Sequence, residues 1–346
     1  MNSPKEILII QTAFLGDVVL AIPMVQTLKN IFPDSMIDFL CTPLAANILS
    51  NNPNINNIIK YDKKGKRKLD KFFDVLFQIK NNYDIVLCPH RSARSALLTY
   101  FSKAPVRIGF NKNALSFLLT HRVQYDSNTH EIQRNIDLLS CIPGVDAKDE
   151  MIVTKPVLYP TDYDLKLIEN IFLEKKISAG DKIISFAPCS KWFTKQLTFK
   201  KSEEIITQLL KKNYKVFLIG GAEDFEYGKT LSKEFDETKL LNFCGRLSPV
   251  QSSIIITKSK VLITTDSAAQ HLGACTDTPI ILIYGSTDNS FGFYPLENKS
   301  VIIEKNNLKC RPCTDHGRKA CPLKHFKCID EIEVNEIITS VEKLSA

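Results

Sequence analysis

Apolar residues along the first half of the chain fall into short continuous runs at 7–11, 36–41, 55–61 and 85–89. Between them lie longer segments with helical spacing at 21–32, 44–51 and 69–81. Runs that are apolar throughout, rather than alternating, are what strands covered on both faces require, and their alternation with helices predicts a parallel sheet flanked by helices. The rhythm lapses from Cys141 to about Pro160, where Pro143, Gly144, Pro156 and Pro160 punctuate a polar stretch that reads as a linker. It then restarts with helices over 162–175, 202–212 and 224–234 and strands over 182–187, 215–220 and 240–243. Further segments follow at 248–257, 261–265, 268–274 and 280–284. Ser248, with Pro249 next and Gln251 three residues on, forms a capping box that fixes one helix start. The pattern predicts an α/β protein of two doubly wound, Rossmann-like domains. The first spans 1–155 and the second 156–330, and a last helix at 331–346 has room to pack back across the junction. Such domains bind ligands beyond the carboxyl ends of their strands, so the expected site is a cleft where the two domains face each other.

Length agrees with this division, because 346 residues exceed what one core usually serves. No apolar run approaches the ~20 residues that a spanning helix needs. The segment from Ile7 to Pro23 is no signal sequence, since Glu6 precedes it and Gln11, Thr12 and Asp17 interrupt it. The ten cysteines in a long chain without an export signal read as reduced cytosolic thiols. A net charge of +7 points to an anionic partner: a phosphorylated substrate, an acidic membrane surface or a nucleic acid. The last is disfavoured, because the basic patches lack interleaved aromatics and no reader motif is present.

Candidate chemistry sits where strands give way to helices. Asp17, in the turn after the first strand with Gly16 before it, can turn a carboxylate into the cleft or simply cap a helix. Thr264-Thr265-Asp266-Ser267-Ala268-Ala269-Gln270-His271 joins a strand to a small-residue helix. There the amides of Ser267 and Ala268 can hold a diphosphate, while Asp266 and His271 also read as cap and satisfied helix histidine. Lys195, in the loop that begins with Ser190 and includes Thr194, can neutralise a leaving diphosphate or stand in solvent. Glu223 is placed either to grip ribose hydroxyls or to complement a helix dipole. Arg91, Arg94 and Arg107 follow strand ends and suit carboxylates and phosphates. The run Lys63-Lys64-Gly65-Lys66-Arg67-Lys68 is a solvated loop or a contact for anionic headgroups. Cys310, Cys313, Cys321 and Cys328, with His316 and His325 between them, offer zinc ligands. Only one CxxC pair is present where a structural site usually shows two, so packed thiols or a labile disulfide compete and no metal site is assigned.

Taken in order, several of these stretches resemble the heptosyltransferases of glycosyltransferase family 9 along nearly the whole chain. They are Leu15-Gly16-Asp17-Val18-Val19 with Pro23, Arg107-Ile108-Gly109-Phe110, Thr194-Lys195, Thr265-Asp266-Ser267 with His271, and Gly285-Ser286-Thr287. Residues 310–328 with Cys321-Pro322-Leu323 look like the enzymes of the second heptose transfer. After the loop lysine the chain departs from the family, with Gln196, Leu197 and Thr198 in place of a Trp-Pro pair.

The resemblance implies a GT-B fold and an inverting transfer of heptose from ADP-heptose to a lipid A–Kdo inner-core acceptor of lipopolysaccharide. No cofactor is required, and the enzyme would sit in the cytoplasm, peripheral at the inner-membrane surface. By that analogy Asp17 is the general base. Lys195, Ser190, Thr194, Asp266, Ser267 and Ala268 hold the donor, Glu223 takes the ribose, Leu247 lies near the adenine and His271 orders the phosphate loop. Arg91, Arg94 and Arg107 are expected to receive the acceptor. Competing readings are another nucleotide-sugar enzyme of this architecture, such as an epimerase, and a non-catalytic membrane-surface protein. A nicotinamide oxidoreductase is disfavoured, because Asp17 stands where a GxGxxG loop would be.

Overall fold

The computed structural model describes residues 4–63, 67–143, 145, 151–296 and 298–345. The chain divides into two compact units, Met1–Tyr159 and Pro160–Ala346. In the first, strands β1 (Glu6–Ile10), β2 (Met36–Cys41), β3 (Asn57–Lys60), β4 (Ile85–Cys88), β5 (Val106–Phe110) and β6 (His121–Val123) alternate with helices α1 (Leu15–Val19), α2 (Ile22–Ile31), α3 (Pro43–Leu49), α4 (Lys68–Ile79), α5 (Ala93–Phe101) and α6 (Glu131–Asp137). All six strands are parallel, in the order β3-β2-β1-β4-β5-β6. Ile7 of the central strand is in register with Ile37 on one side and Ile85 on the other. Leu8, Ile10, Leu40, Val86 and Cys88 meet Val75 and Ile79 of α4 in a closed core.

The second unit repeats the plan. Its strands are β7 (Ile183–Ala187), β8 (Lys215–Leu218), β9 (Leu240–Asn242), β10 (Val261–Thr265), β11 (Ile280–Tyr284) and β12 (Ser300–Glu304). Its helices are α7 (Asp162–Glu174), α8 (Phe199–Lys211), α9 (Phe225–Ser232), α10 (Pro249–Thr257), α11 (Ala268–Ala274), α12 (Lys327–Asp330) and α13 (Val334–Ser345). The parallel order β12-β11-β10-β7-β8-β9 is that of the first sheet, read from its other edge. Every residue of β7, β10 and β11 is buried, as the unbroken apolar runs predict. Ile337, Ile338 and Val341 of α13 join Ile263, Ile281 and Ile283 in the core.

Local chemistry sets the helix starts. The Ser248 hydroxyl accepts from the Gln251 amide at 3.2 Å and the Gln251 side chain accepts from Ser248 N at 3.0 Å, so the predicted capping box forms. Thr161 and Asp164 make the same exchange at α7. Thr198 caps α8, which therefore begins three residues before the expected 202. The helix expected over 21–32 follows a separate five-residue turn, α1. Pro23 fits only the first turn of a helix, so α2 starts at Ile22 and cannot grow backwards into α1. The strand expected over 55–61 is held to four residues, while β5, β6, β12, α5 and α6 are elements that the pattern alone did not mark.

Candidate active site

In a sheet of this order, crossovers leave the central pair of strands toward opposite faces, which opens a crevice beyond their carboxyl ends. In the first unit that pair is β1 and β4. The turn after β1 carries Phe14 into α1, whose third residue is Asp17. The Asp17 carboxylate accepts from the Phe14 amide at 3.1 Å, so it is a first-turn carboxylate and not the N-cap itself. Beside this turn the Thr12 hydroxyl lies 3.0 Å from His90 Nδ1, and His90 in turn is 2.9 Å from Ser95 Oγ. Burial, together with the nearby charges of Lys63 and Arg91, lowers the His90 pKa to about 4. The imidazole is therefore neutral and serves as a hydrogen-bonding spacer between β1 and α5.

A second carboxylate stands close to Asp17. Glu131 opens α6, which is fastened to the end of α1 by a 3.0 Å bond from Asn135 Nδ2 to the Leu20 carbonyl. Glu131 is buried and pairs with buried Arg134 at 3.2 Å. Burial pushes its carboxyl up to about 7; Arg134 opposes the rise, while the charge of Asp17 adds to it. The Arg134 guanidinium lies over Tyr125 at 4.7 Å, and Arg91 and Lys112 approach the same ring at 4.2 and 5.0 Å. Buried acid and clustered cations so surround the turn of Asp17. Sequence reasoning passed over Glu131, Arg134, Tyr125 and Lys112, because an acid and a base three apart on a helix usually read as a solvated pair.

Of the three arginines expected to meet an acceptor, Arg91 and Arg94 are exposed after β4, at the same sheet edge as Asp17. Arg107 is placed otherwise. It pairs in register with Val86, which is level with Leu8, so it lies toward the amino end of the strands. Its guanidinium donates to the Ala104 carbonyl at 2.7 Å and the Leu118 carbonyl at 3.3 Å, work that stitches a loop. The basic run is described only in part: Lys63, Arg67 and Lys68 are placed, and residues 64–66 lie outside the described residues.

In the second unit the corresponding pair is β7 and β10. Lys195 follows β7 and its ammonium lies 2.7 Å from Asp266, the first residue after β10; both side chains are mostly buried. Asp266 also accepts from the Thr287 hydroxyl at 2.7 Å, which brings in the end of β11. Ser286 donates to Thr194 Oγ1 at 2.8 Å, and the Arg318 amide donates to the same oxygen at 2.7 Å. Thr194 is thus 1% exposed and holds the Lys195 loop in place. The loop is further braced by stacked Phe193 and Phe326, 5.1 Å apart. Gly317, at φ +87°, lets the Lys195 stem pass where a Cβ would lie 2.8 Å from Lys195 Cδ.

Ser267 is the extended N-cap of α11 and uses no side-chain cap, which leaves the amides of Ser267 and Ala268 at the start of that helix. His271 is buried one turn on, edge-on to Phe293. Ser190 lies half-buried in the loop after β7. Glu223 is exposed after β8, folded back over Gly221. Leu247 is half-buried after β9. Every donor residue named from the sequence therefore lies at the carboxyl edge of the second sheet. Among them, Lys195, Asp266 and Thr194 are drawn together through Thr287 and Ser286.

The cysteine-rich segment has a place in that network. None of the ten cysteines is in a disulfide among the described residues. Cys310 Sγ stands 3.9 Å from His325 Nε2, and the Cys313 amide donates to the Ser286 carbonyl at 2.8 Å. Burial raises the Cys321 thiol, but the amides of Phe326, Leu323, His325 and Lys324 outweigh it and lower the pKa. Among the described residues no three His, Cys, Asp or Glu side chains converge as metal ligands. The segment instead buttresses Thr194 and Lys195 through Cys313, Gly317 and Arg318. Arg311 closes the arrangement by donating to the Thr287 carbonyl at 2.7 Å and pairing with Glu304 at 2.6 Å.

Known proteins resemble this chain in sequence and in fold. A lipopolysaccharide heptosyltransferase 3 of Escherichia coli is 26% identical over 347 residues, 95% of each chain. Among solved structures, a family 9 glycosyltransferase from Veillonella parvula superposes with a TM-score of 0.82 at 21% identity, covering 99% of this chain and 97% of that one. The ADP-heptose lipopolysaccharide heptosyltransferase II of E. coli does so with a TM-score of 0.77 at 22% identity, covering 98% of both. The fold is the GT-B fold of those enzymes. The profile of glycosyltransferase family 9 (heptosyltransferase) matches residues 75–325, and the chain belongs to that family.

Proposed function

We propose that this glycosyltransferase moves a heptose from ADP-heptose onto the inner core of lipopolysaccharide, with inversion at the transferred carbon. The observation that carries the reading is the Lys195–Asp266–Thr287 network, set beside the amide groups of Ser267 and Ala268 at the start of α11. Lysine and amide donors at that edge suit a diphosphate. The adenine nucleotide and the heptose are drawn from what related enzymes are named for.

In this reading the acceptor hydroxyl oxygen attacks the anomeric carbon as the carbon–oxygen bond to the diphosphate breaks. Asp17 receives the hydroxyl proton, and ADP leaves with its negative charge met by Lys195 and the two amides, with no metal called upon. Arg91 and Arg94, with Lys112, receive the anionic acceptor. Glu223 and Leu247 hold ribose and adenine, and the enzyme works at the cytoplasmic face of the inner membrane on the second heptose of the core. The test is ADP release from ADP-heptose with and without a heptose-deficient lipid A–Kdo acceptor. Release that needs the acceptor, with a new glycosidic bond in the product, supports the reading. Release from UDP-sugars alone, or interconversion of the donor without transfer, overturns it.

A further inference from the structure

Helix α4 has two apolar faces where one suffices. Val75 and Ile79 are buried, and Phe72 and Leu76 pack beside them on the first sheet. On the outer side Leu69, Phe73 and Phe77 recur every four residues, 73%, 53% and 82% exposed. Singly exposed apolar residues are ordinary, whereas three large ones in line along a helix form a patch that a water-facing surface does not call for. The flanking chain is basic: residues 63–80 hold seven lysines and arginines against Asp70 and Asp74. Arg67, Lys68 and Lys80 are exposed, and Lys71 is partly neutralised by Asp62.

The patch begins at the sheet edge that carries Asp17. The segment leading into α4 follows β3, and the charge of its Lys63 is felt by His90, the neighbour of Thr12. Phe14, at the start of α1, and Leu44, in the first turn of α3, are 55% and 64% exposed at the same edge. A second copy of the chain is a poor cover for α4, since two such faces would bring like charges together. An anionic bilayer satisfies both features, taking aromatic and aliphatic side chains into its headgroup boundary while it attracts the basic margin. Among the described residues no helix is long and apolar enough to cross a membrane, so a lipid contact made by a helix here is a surface contact.

We propose that the outer face of α4, with exposed Arg67, Lys68 and Lys80 at its two ends, docks on an anionic lipid bilayer and seats Leu69, Phe73 and Phe77 among the headgroups. The proposal deepens the functional reading above, which supplies the lipid-linked acceptor, but its test needs neither donor nor acceptor. The full chain is sedimented with vesicles of phosphatidylethanolamine and phosphatidylglycerol, and with vesicles of phosphatidylcholine alone. The wild type should partition onto the anionic vesicles, and salt should weaken it. Phe73→Ser with Phe77→Ser, and separately Arg67→Glu with Lys68→Glu, should each reduce partitioning roughly tenfold or more. Both variants should keep the wild-type unfolding temperature, so that lost partitioning reports the surface and not the fold.

Equal binding to both kinds of vesicle, or variants within about twofold of the wild type, overturns the proposal. So does a phenylalanine variant that converts a self-associated chain to monomer, since a second copy then covers the helix. A chain that docks but transfers no heptose retains this inference and loses the functional reading; one that transfers but ignores vesicles does the reverse.

Discussion

The two units are built on one strand order and differ in what they place beyond it. At the edge of the second sheet, charge is already matched: Lys195 lies against Asp266 at 2.7 Å, Thr287 donates to the same carboxylate, and Ser286 and Arg318 lock Thr194 beside them. At the edge of the first, the Asp17 carboxylate accepts from the Phe14 amide at 3.1 Å and stands near a second acid, buried Glu131. A scaffold repeated twice therefore supports a lysine–carboxylate clamp in one half and a first-turn carboxylate beside a buried acid in the other. That difference suits a leaving group that must be held and a base that must exchange protons.

The largest test of this contrast is Asp17→Asn. Turnover should fall by ~10² to 10⁴ while ADP affinity, read by calorimetry, stays within about twofold; a variant near wild-type rate removes the base from the first half. Lys195→Ala should act on both quantities, with turnover down by ~10 to 10² and ADP bound more weakly, because it opens the clamp. Unchanged ADP affinity would place the clamp elsewhere.

Gly285→Ala probes the wiring without touching a charged group. A Cβ there would lie 2.7 Å from the Thr194 carbonyl and 2.9 Å from Ile329 Cδ1. The loop must shift, at a cost of about 1 to 3 kcal/mol in the thermal unfolding of the protein, with a several-fold loss of ADP affinity. The last effect, confined to a pH window, belongs to Glu131. Its carboxyl is raised from its ordinary value to about 7, so the folded protein binds more protons than the unfolded chain between about pH 4.5 and 7. This contribution is present in full below that window and is lost as pH climbs through it. Glu131→Gln should flatten the decline in stability over the window, by up to about 3 kcal/mol, in denaturant titrations at a series of pH values. An unchanged slope would show that Glu131 does not titrate there.

What the sequence disclosed follows from how far each signal reaches along the chain. Fully buried runs such as Val261–Thr265 and Ile280–Tyr284 announce themselves, because a parallel strand covered on both faces has no polar positions. His121–Val123, three residues and only half-buried, carries no such mark. Asp17, Lys195 and Asp266 were legible as residues that follow strands in an alternating chain. The partners of Thr194 were not, since Arg318 reaches it across 124 residues and nothing local to either reports it. Ser286 and Thr287 were matched as family residues but had no assigned work until the end of β11 brought Thr287 to Asp266 and Ser286 to Thr194. The work of the cysteine-rich segment was hidden for the same reason. Its spacing resembles metal ligation, whereas its backbone and Gly317 spend themselves on the neighbouring lysine loop.

The pairing of Lys195 with Asp266 also bears on how catalysis ends. An ammonium that already has an internal carboxylate is not an open trap for any passing phosphate. A visiting diphosphate must outcompete that carboxylate, and once transfer is complete the same carboxylate stands ready to reclaim the lysine. If Lys195 holds the leaving diphosphate as proposed, the resting pair would act as a spring-back that limits inhibition by spent nucleotide and hastens the next cycle.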